Sequence, residues 1–224
     1  MSYCHRCGFT EASNHTIAAG NPVQPKTYRH WLDKAQYLWS RSQALQGSVA
    51  ATYLQRRGCR IPPPDADLRY LPASGDYPYA MLARITDAIT AEPISLHFTR
   101  LNADASKVAN TPKKLLREHR KSGGVIRLWP DEAVRLGLAI AEGIESALAA
   151  AHAFTPIWSC IDAGNLAAFP VLRGIEALTI VADHDEAGIE AAERCAQHWA
   201  DAGREASIAL PSNAGQDAAD LVLA

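Results

Sequence analysis

The sequence predicts an α/β fold, with a parallel central sheet flanked by helices in its last ninety residues and a small basic α/β region before them. Two observations support this. After residue 136, short apolar segments alternate with helical segments, which is typical of βαβ units. Before residue 136, strand-like segments lead into a run of basic residues. The chain has 224 residues, 48% of them hydrophobic, and is long enough to bury a sizeable core.

The first part of the chain begins with a segment that lacks periodicity. Residues 1–26 contain Gly20, Pro22 and Pro25 and are interpreted as a tail or linker. Apolar residues then recur at three- and four-residue spacing over residues 28–57, which predicts helix, and the prolines at 62–64 exclude helix beyond it. Strands are predicted at Ala80–Thr86, Ile94–Leu101 and Val125–Trp129. We therefore divide the chain into a tail (1–26), a basic region (27–135) and a C-terminal domain (136–224).

In the C-terminal domain, strands and helices alternate. Helices are predicted at Gly143–Ala153 and Glu186–Ala202, because both segments are rich in helix-forming residues. The four predicted strands are Leu138–Ala141, Pro156–Ile161, Leu178–Ala182 and Ala206–Leu210. In such a domain, ligands bind at the carboxyl ends of the strands.

The formal net charge of −2 hides a strong asymmetry. Residues 1–135 hold 19 Lys and Arg against 11 Asp and Glu, whereas residues 136–224 hold 3 against 13. A basic half and an acidic half suggest that one part binds a polyanion and the other a cation such as a metal. The alternative, that the surface charge has no function, stays open at this point.

Composition also bears on the class of protein. No apolar run reaches the roughly 18 residues that span a membrane, and the N-terminus lacks a secretory signal. The five cysteines are an odd number, which favours a reducing compartment, so a cytoplasmic location is predicted. The chain has no G-x-x-x-x-G-K-[ST] loop, so any helicase motor would be a separate partner.

Acidic residues follow the predicted strands. Glu142 comes directly after the first strand, and Asp183 and Asp185 come directly after the third. Three carboxylates at one sheet edge repel each other unless a divalent cation such as Mg²⁺ neutralises them. Asp217 and Asp220 follow the fourth strand and are further candidates for the same edge. The alternative is that Asp183 or Asp185 caps the following helix.

Three segments, LAIAEGIESALAA, TIVADHDEAGIEAAERCA and QDAADLV, resemble the signature regions of the toprim domain. The upstream segments YLQRRGC, DLRYLP, YPYAMLARITD and GGVIRLWP are similar to the region that precedes toprim in primase-like proteins of phages, plasmids and other mobile elements. The resemblance implies that Glu142 is a catalytic acid/base or metal ligand, that Asp183 and Asp185 bind Mg²⁺ (or Mn²⁺), and that Gly188 closes their turn. Two residues depart from the family pattern: His184 lies between the aspartates, and Gln216 stands where primases often carry Lys.

The segment KKLLREHRK, residues 113–121, is interpreted as a surface that follows nucleic-acid phosphates, since clustered Lys and Arg neutralise successive phosphates. The alternative is an ordinary solvated face. The candidate phosphate contacts are Arg100, Lys113, Lys114, Arg117, Arg120, Lys121 and Arg127.

Near the N-terminus, Cys4 and Cys7 form a C-x-x-C-G turn that resembles the second half of the zinc ribbon of primases. Zinc needs four ligands, so a complete site is not predicted within this chain. Cys160 and Cys195 are predicted to be core residues.

Together, these residues and the resemblance predict a Mg²⁺-dependent, primase-like nucleotidyltransferase that acts on single-stranded DNA and nucleotides and makes primers in the replication of a mobile element. The carboxylates of Glu142, Asp183 and Asp185 are expected to share a metal cluster, whose two-metal form spans about 4 Å. Two alternatives stay open: a toprim nuclease with water as the nucleophile, and a non-catalytic nucleic-acid-binding remnant.

Overall fold

Two helices begin the described part of the chain, which in this computed structural model comprises residues 29–75, 77–116 and 120–211. Helix α1 spans Arg29–Arg41 and helix α2 spans Val49–Arg56. Gly47 lies between them with a φ of 72°, a left-handed conformation that glycine adopts without strain. Ser48 is the N-cap of α2, and its side chain accepts a hydrogen bond from the Ala51 N–H (3.2 Å). The helical segment predicted over residues 28–57 is thus divided at Gly47.

Five antiparallel strands follow. Strand β2 pairs with β1, β3 and β5, and β3 pairs with β4. One face of β2 and β3 packs against α1, where Ala35, Leu82 and Leu96 form a buried cluster on which Trp39 packs. The other face joins a core that includes residues of α2 and of the C-terminal half. The strands are β1 (Leu68–Leu71), β2 (Tyr79–Asp87), β3 (Pro93–Leu101), β4 (Lys113–Leu115) and β5 (Gly124–Arg127).

Strands and helices alternate in the C-terminal half. The strands pair in the order β7-β6-β8-β9, all parallel. Alternate side chains of β6 point to opposite faces of the sheet, and helices cover both faces. Leu138 and Ile140 pack with α5, whereas Ala139 and Ala141 pack with α3. The elements are β6 (Gly137–Ala141), α3 (Ile144–Ala150), β7 (Ile157–Ser159), α4 (Ala163–Ala167), β8 (Ala177–Val181), α5 (Glu186–Asp201) and β9 (Glu205–Ala209).

Strand β5 joins the two halves into one sheet. It pairs antiparallel with β7 on one side and, through Val125 and Gly124, with the end of β2 on the other. A Cβ atom at Gly124 would lie 2.6 Å from Cγ2 of Ile85, so only glycine fits this close approach. The sheet order is β4-β3-β2-β5-β7-β6-β8-β9, with β1 on β2. The sheet therefore crosses the predicted boundary at residues 135 and 136, and the division into domains stays a prediction.

The predicted α/β fold with a parallel central sheet is confirmed. Strands β1 and β4, helix α4 and the short 3₁₀ turn Asp131–Ala133 were not predicted. Cys160 and Cys195 are buried, as expected of core residues. Across the described ranges, no helix combines the length and apolar character needed to cross a membrane.

Candidate active site

Four carboxylates lie at the carboxyl ends of the parallel strands, and we call them the acidic edge: Glu142, Asp162, Asp183 and Asp185. Glu142 directly follows β6, Asp162 follows β7, and the two other aspartates follow β8. Parallel strands end at the same side of a sheet, so the topology brings these residues together. The sequence rule that selected Glu142, Asp183 and Asp185 thus also selects Asp162, which we did not predict.

The charges of the acidic edge act on one another. Burial raises the pKa of Glu142 above its usual value, and the charges of Asp183, Asp185 and Asp162 raise it further. The positive charge of Lys113 opposes these effects and lowers the pKa. The site therefore concentrates negative charge around Glu142, and a cation bound there would lower the repulsion.

Hydrogen bonds orient the two predicted aspartates. Ser146 donates its hydroxyl to Oδ1 of Asp183 (3.1 Å). Asp185 is the N-cap of α5, and its Oδ1 accepts the Gly188 N–H at 2.7 Å. The capping interpretation of Asp185 is therefore correct as far as its Oδ1 is concerned. Between them, His184 Nδ1 donates to the carbonyl oxygen of Pro211 (2.7 Å) and ties this loop to the end of β9.

The donor chemistry of the acidic edge suits Mg²⁺, which prefers carboxylate oxygens and completes its shell with water and phosphate. Within the described residues, however, no three His, Cys, Asp or Glu side chains are grouped so that they could hold one metal ion. The expected sharing of a metal cluster by Glu142, Asp183 and Asp185 therefore stays a prediction. Asp217 and Asp220 lie outside the described residues.

A cationic group faces the acidic edge from the N-terminal half. Glu145, in the first turn of α3, is buried and binds Lys107 Nζ at 2.8 Å and Lys113 Nζ at 3.6 Å. Tyr53 of α2 donates its hydroxyl to the same carboxylate at 2.9 Å. Burial raises the pKa of Glu145, but the charges of Lys113 and Lys107 outweigh it and lower the pKa to about 2. Glu145 is thus ionised and joins α2 and the basic residues to the C-terminal half.

The remaining predicted phosphate contacts occupy different surroundings. Lys121 forms an ion pair with Asp162 (2.7 Å) and so lies at the acidic edge. Arg120 forms an exposed ion pair with Asp87 (2.6 Å). Arg127 is 7% exposed, and its guanidinium binds Asp131 (2.7 Å) and the carbonyl oxygens of Asp87 and Ala88. The guanidinium of Arg127 is thus paired with groups of the protein itself, so we leave Arg127 out of the proposed nucleic-acid surface.

The two lysines of β4 point to opposite sides. Lys113 pairs with Thr99 and Lys114 with Phe98, and directly opposite residues of antiparallel strands share a face. Lys113 is therefore on the side of Glu145, and Lys114 and Arg100 are on the other side with Phe98. Arg117, Cys4 and Cys7 lie outside the described residues.

Sequence reasoning missed Glu145 and Lys107 for different reasons. Glu145 lies three residues after Glu142, a spacing that could have identified it, but a glutamate in a helix is ordinary. Lys107 lies in a loop, and its ion pair with Glu145 depends on contacts between distant segments.

Comparison with known families and structures agrees with this geometry. The Toprim domain family matches residues 137–224, and a domain of unknown function (DUF7146) matches residues 30–128. No curated protein matches the chain.

The fold is similar to that of two solved structures. One is the Aquifex aeolicus primase (zinc binding and RNA polymerase domains), with a TM-score of 0.56 and 14% identity, over 86% of this chain and 56% of that one. The other is the DnaG catalytic core, with a TM-score of 0.53 and 16% identity, over 88% of this chain and 75% of that one. The chain thus spans about half the length of the Aquifex structure, and at these identities the likeness shows the fold alone.

The acidic edge is therefore the carboxyl edge of the segment that matches the Toprim domain family, residues 137–224, and the fold of the chain is similar to that of the two primase structures.

Proposed function

We propose that this protein is a Mg²⁺-dependent, primase-like nucleotidyltransferase that acts on single-stranded DNA. The observation that carries the proposal is the acidic edge of the Toprim domain, faced by lysines of the basic region. Phosphoryl transfer needs mainly positioning and charge neutralisation, and carboxylates with nearby lysines supply groups for both. Lys113 contacts Glu145 (3.6 Å), which lies in the first turn of the helix that follows Glu142.

The carboxylates have separate roles in this proposal. Glu142, Asp183 and Asp185 would hold Mg²⁺, which would neutralise the negative charge that phosphoryl transfer develops. Glu142 also serves as general acid/base, because its raised pKa brings it closer to neutral pH than an ordinary glutamate. The hydrogen bonds from Ser146 to Asp183 and from Gly188 to Asp185 keep the two aspartates oriented.

The basic side chains would hold the phosphates of the substrates. Lys113 and Lys121 approach the acidic edge and are placed for a strand or nucleotide near the reaction. Lys114 lies on the other face of β4 and is placed for a strand outside the acidic edge, and the exposed Arg120 is a further candidate for phosphate contact. A separate replicative helicase, replication of a mobile element and a cytoplasmic location belong to the same proposal.

The test is a primer-synthesis assay with labelled ribonucleotides, a single-stranded DNA template and Mg²⁺ or Mn²⁺. We expect oligonucleotide products from the wild type and a loss of at least about 100-fold in the double variant Glu142→Gln, Asp183→Asn, since general acid–base catalysis alone contributes this much. The matched control is Glu190→Gln, an exposed glutamate of α5.

Other results would identify the alternatives. Cleavage of labelled DNA without ribonucleotide incorporation would contradict the primase proposal and identify a nuclease. Equal activity of the wild type and the double variant would contradict any catalytic role of the acidic edge. DNA binding without either reaction would identify a non-catalytic binding protein.

A further inference from the structure

The adjacent lysines of β4 differ in what they can reach. Lys113 shares a face with Thr99 and lies on the side of α3, whereas Lys114 shares a face with Phe98, which packs on the same cluster as Trp39 of α1. A phosphate at the acidic edge can therefore meet Lys113 and not Lys114. The pair provides a comparison of the same residue type, one position apart, on opposite sides of one strand.

Glu145 contacts both Lys113 and Lys107. Each lysine contacts a different oxygen of this carboxylate, Lys107 at Oε1 (2.8 Å) and Lys113 at Oε2 (3.6 Å). The Glu145 side chain is only 6% exposed, and the Tyr53 hydroxyl also donates to its Oε1. The carboxylate is thus held by the fold, and it holds the ammonium groups in turn.

Lys113 is the better placed of the two for an external ligand. At 3.6 Å its ammonium is an ion pair with Glu145 but makes no hydrogen bond to it. Its side chain is 51% exposed, compared with 31% for Lys107, whose ammonium is within hydrogen-bond distance of Glu145. An ammonium has three N–H donors, so Lys113 can bind a phosphate oxygen without leaving Glu145.

We propose that Glu145 is a positioning residue that holds Lys113 beside the acidic edge, and that Lys113 there binds the phosphates of a nucleoside triphosphate. The choice of a nucleotide as the ligand rests on the proposed function. The position of Lys113 favours it over the strand backbone, because its ammonium contacts Glu145, one helical turn from Glu142, and lies on the opposite face from Lys114 and Arg100.

The first experiment measures binding of fluorescent ATP, with Mg²⁺, and of a labelled single-stranded oligodeoxynucleotide to the full chain. We expect Lys113→Ala to weaken ATP binding about tenfold, the loss typical of one charge-assisted hydrogen bond, and Lys114→Ala to change it less than about twofold. Equal losses in the two variants would overturn the proposal. So would a Lys113→Ala variant that loses only oligonucleotide binding, or a wild type that does not bind ATP.

The second experiment separates positioning from folding. Glu145→Gln removes the charge that holds the lysines, whereas Tyr53→Phe removes one hydrogen bond to the same carboxylate and keeps its charge. We expect both variants to lower Tm but only Glu145→Gln to weaken ATP binding, by about three- to tenfold, and to raise KM for ATP more than it lowers kcat. If ATP affinity falls equally in both variants, Glu145 is only structural and the proposal is wrong.

Binding is measured without catalysis, so the two proposals can fail separately. A chain that binds ATP through Lys113 and makes no primer would contradict the proposed function and support this inference. A chain that makes primers with unchanged ATP affinity in Lys113→Ala would do the reverse. If Glu145→Gln does not fold, the comparison of Lys113→Ala with Lys114→Ala still tests whether Lys113 binds ATP.

Discussion

Asp185 combines a structural contact with its proposed chemical role. Its Oδ1 accepts the Gly188 N–H and caps α5, which fixes the side chain at the acidic edge. A carboxylate has two oxygens, so capping by one does not exclude a metal at the other. The cap and metal interpretations of this residue, which are alternatives when only the sequence is considered, are therefore compatible in the structure.

Glu145 makes stability depend on pH in a predictable direction. Its pKa of about 2 in the folded chain is below the ordinary value of 4.5, so the ionised form stabilises the fold above pH 4.5. This contribution is lost as the pH falls from about 4.5 to about 2, and its size is about 3 kcal/mol. We expect the difference in unfolding free energy between wild type and Glu145→Gln to shrink over that range, as measured by urea denaturation. A difference that is constant with pH would contradict this.

The sequence identified the candidate site only in part. Glu142, Asp183 and Asp185 were predicted because each directly follows a strand with a clear apolar pattern, and the structure places all three at the same edge. Whether Lys113 or Lys114 faces that edge depends on the register of β4 against β3. The sequence KKL has no alternation that would define this register, so it could not be predicted.

At the scale of elements, prediction succeeded where the pattern was long. Strands β2 and β3 have nine residues each, and α5 has a clear apolar face. Strands β1 and β4 are as short as β5 and β7 but are only partly buried, so they lack the apolar run that identified those two strands. Strand β4 is stabilised by pairing with β3, which ends twelve residues before it along the chain. Such short strands form because a neighbouring strand is available for pairing, and which strand that is depends on the tertiary fold.

The turn between β8 and α5 gives a prediction at this scale. A Cβ atom at Gly188 would lie 2.5 Å from the carbonyl oxygen of Asp183, so alanine there must displace the loop that carries Asp183 and Asp185. We expect Gly188→Ala to cost about 1–3 kcal/mol of unfolding free energy. The measurement is chemical denaturation.

The matched control is Gly137→Ala, where the nearest atom to the new Cβ lies 3.9 Å away. We expect this variant to be about as stable as the wild type. Equal losses of unfolding free energy in Gly188→Ala and Gly137→Ala would show that the close contact at Gly188 is not the cause of the destabilisation.

At the scale of the whole molecule, the basic and acidic halves share one sheet. Arg127 of β5 contributes to the junction: it binds carbonyl oxygens of Asp87 and Ala88 and lies over the Trp158 ring of β7, 4.5 Å from its centroid. The basic half and the acidic half of the sequence are therefore connected by the backbone hydrogen bonds of one sheet.

This junction predicts cooperative unfolding. We expect Arg127→Ala to lower the unfolding free energy by about 3 kcal/mol, because several buried acceptors lose their donor. Arg120→Ala, which removes an exposed ion pair, should cost less than about 1 kcal/mol. Tryptophan fluorescence and circular dichroism should report the same transition in urea, and separate transitions would show that the halves unfold independently.

The ladder that runs from β2 through β5 to β7 has a consequence for substrate entry. Domain closure requires hinge residues that can change their backbone angles, and each residue of β5 is paired with a neighbouring strand: Gly124 and Val125 with β2, Ile126 and Arg127 with β7. We therefore expect the gap between the acidic edge and Lys113 to keep nearly the same width with and without ligand. A substrate would then reach the acidic edge and leave it without a lid movement between the two halves.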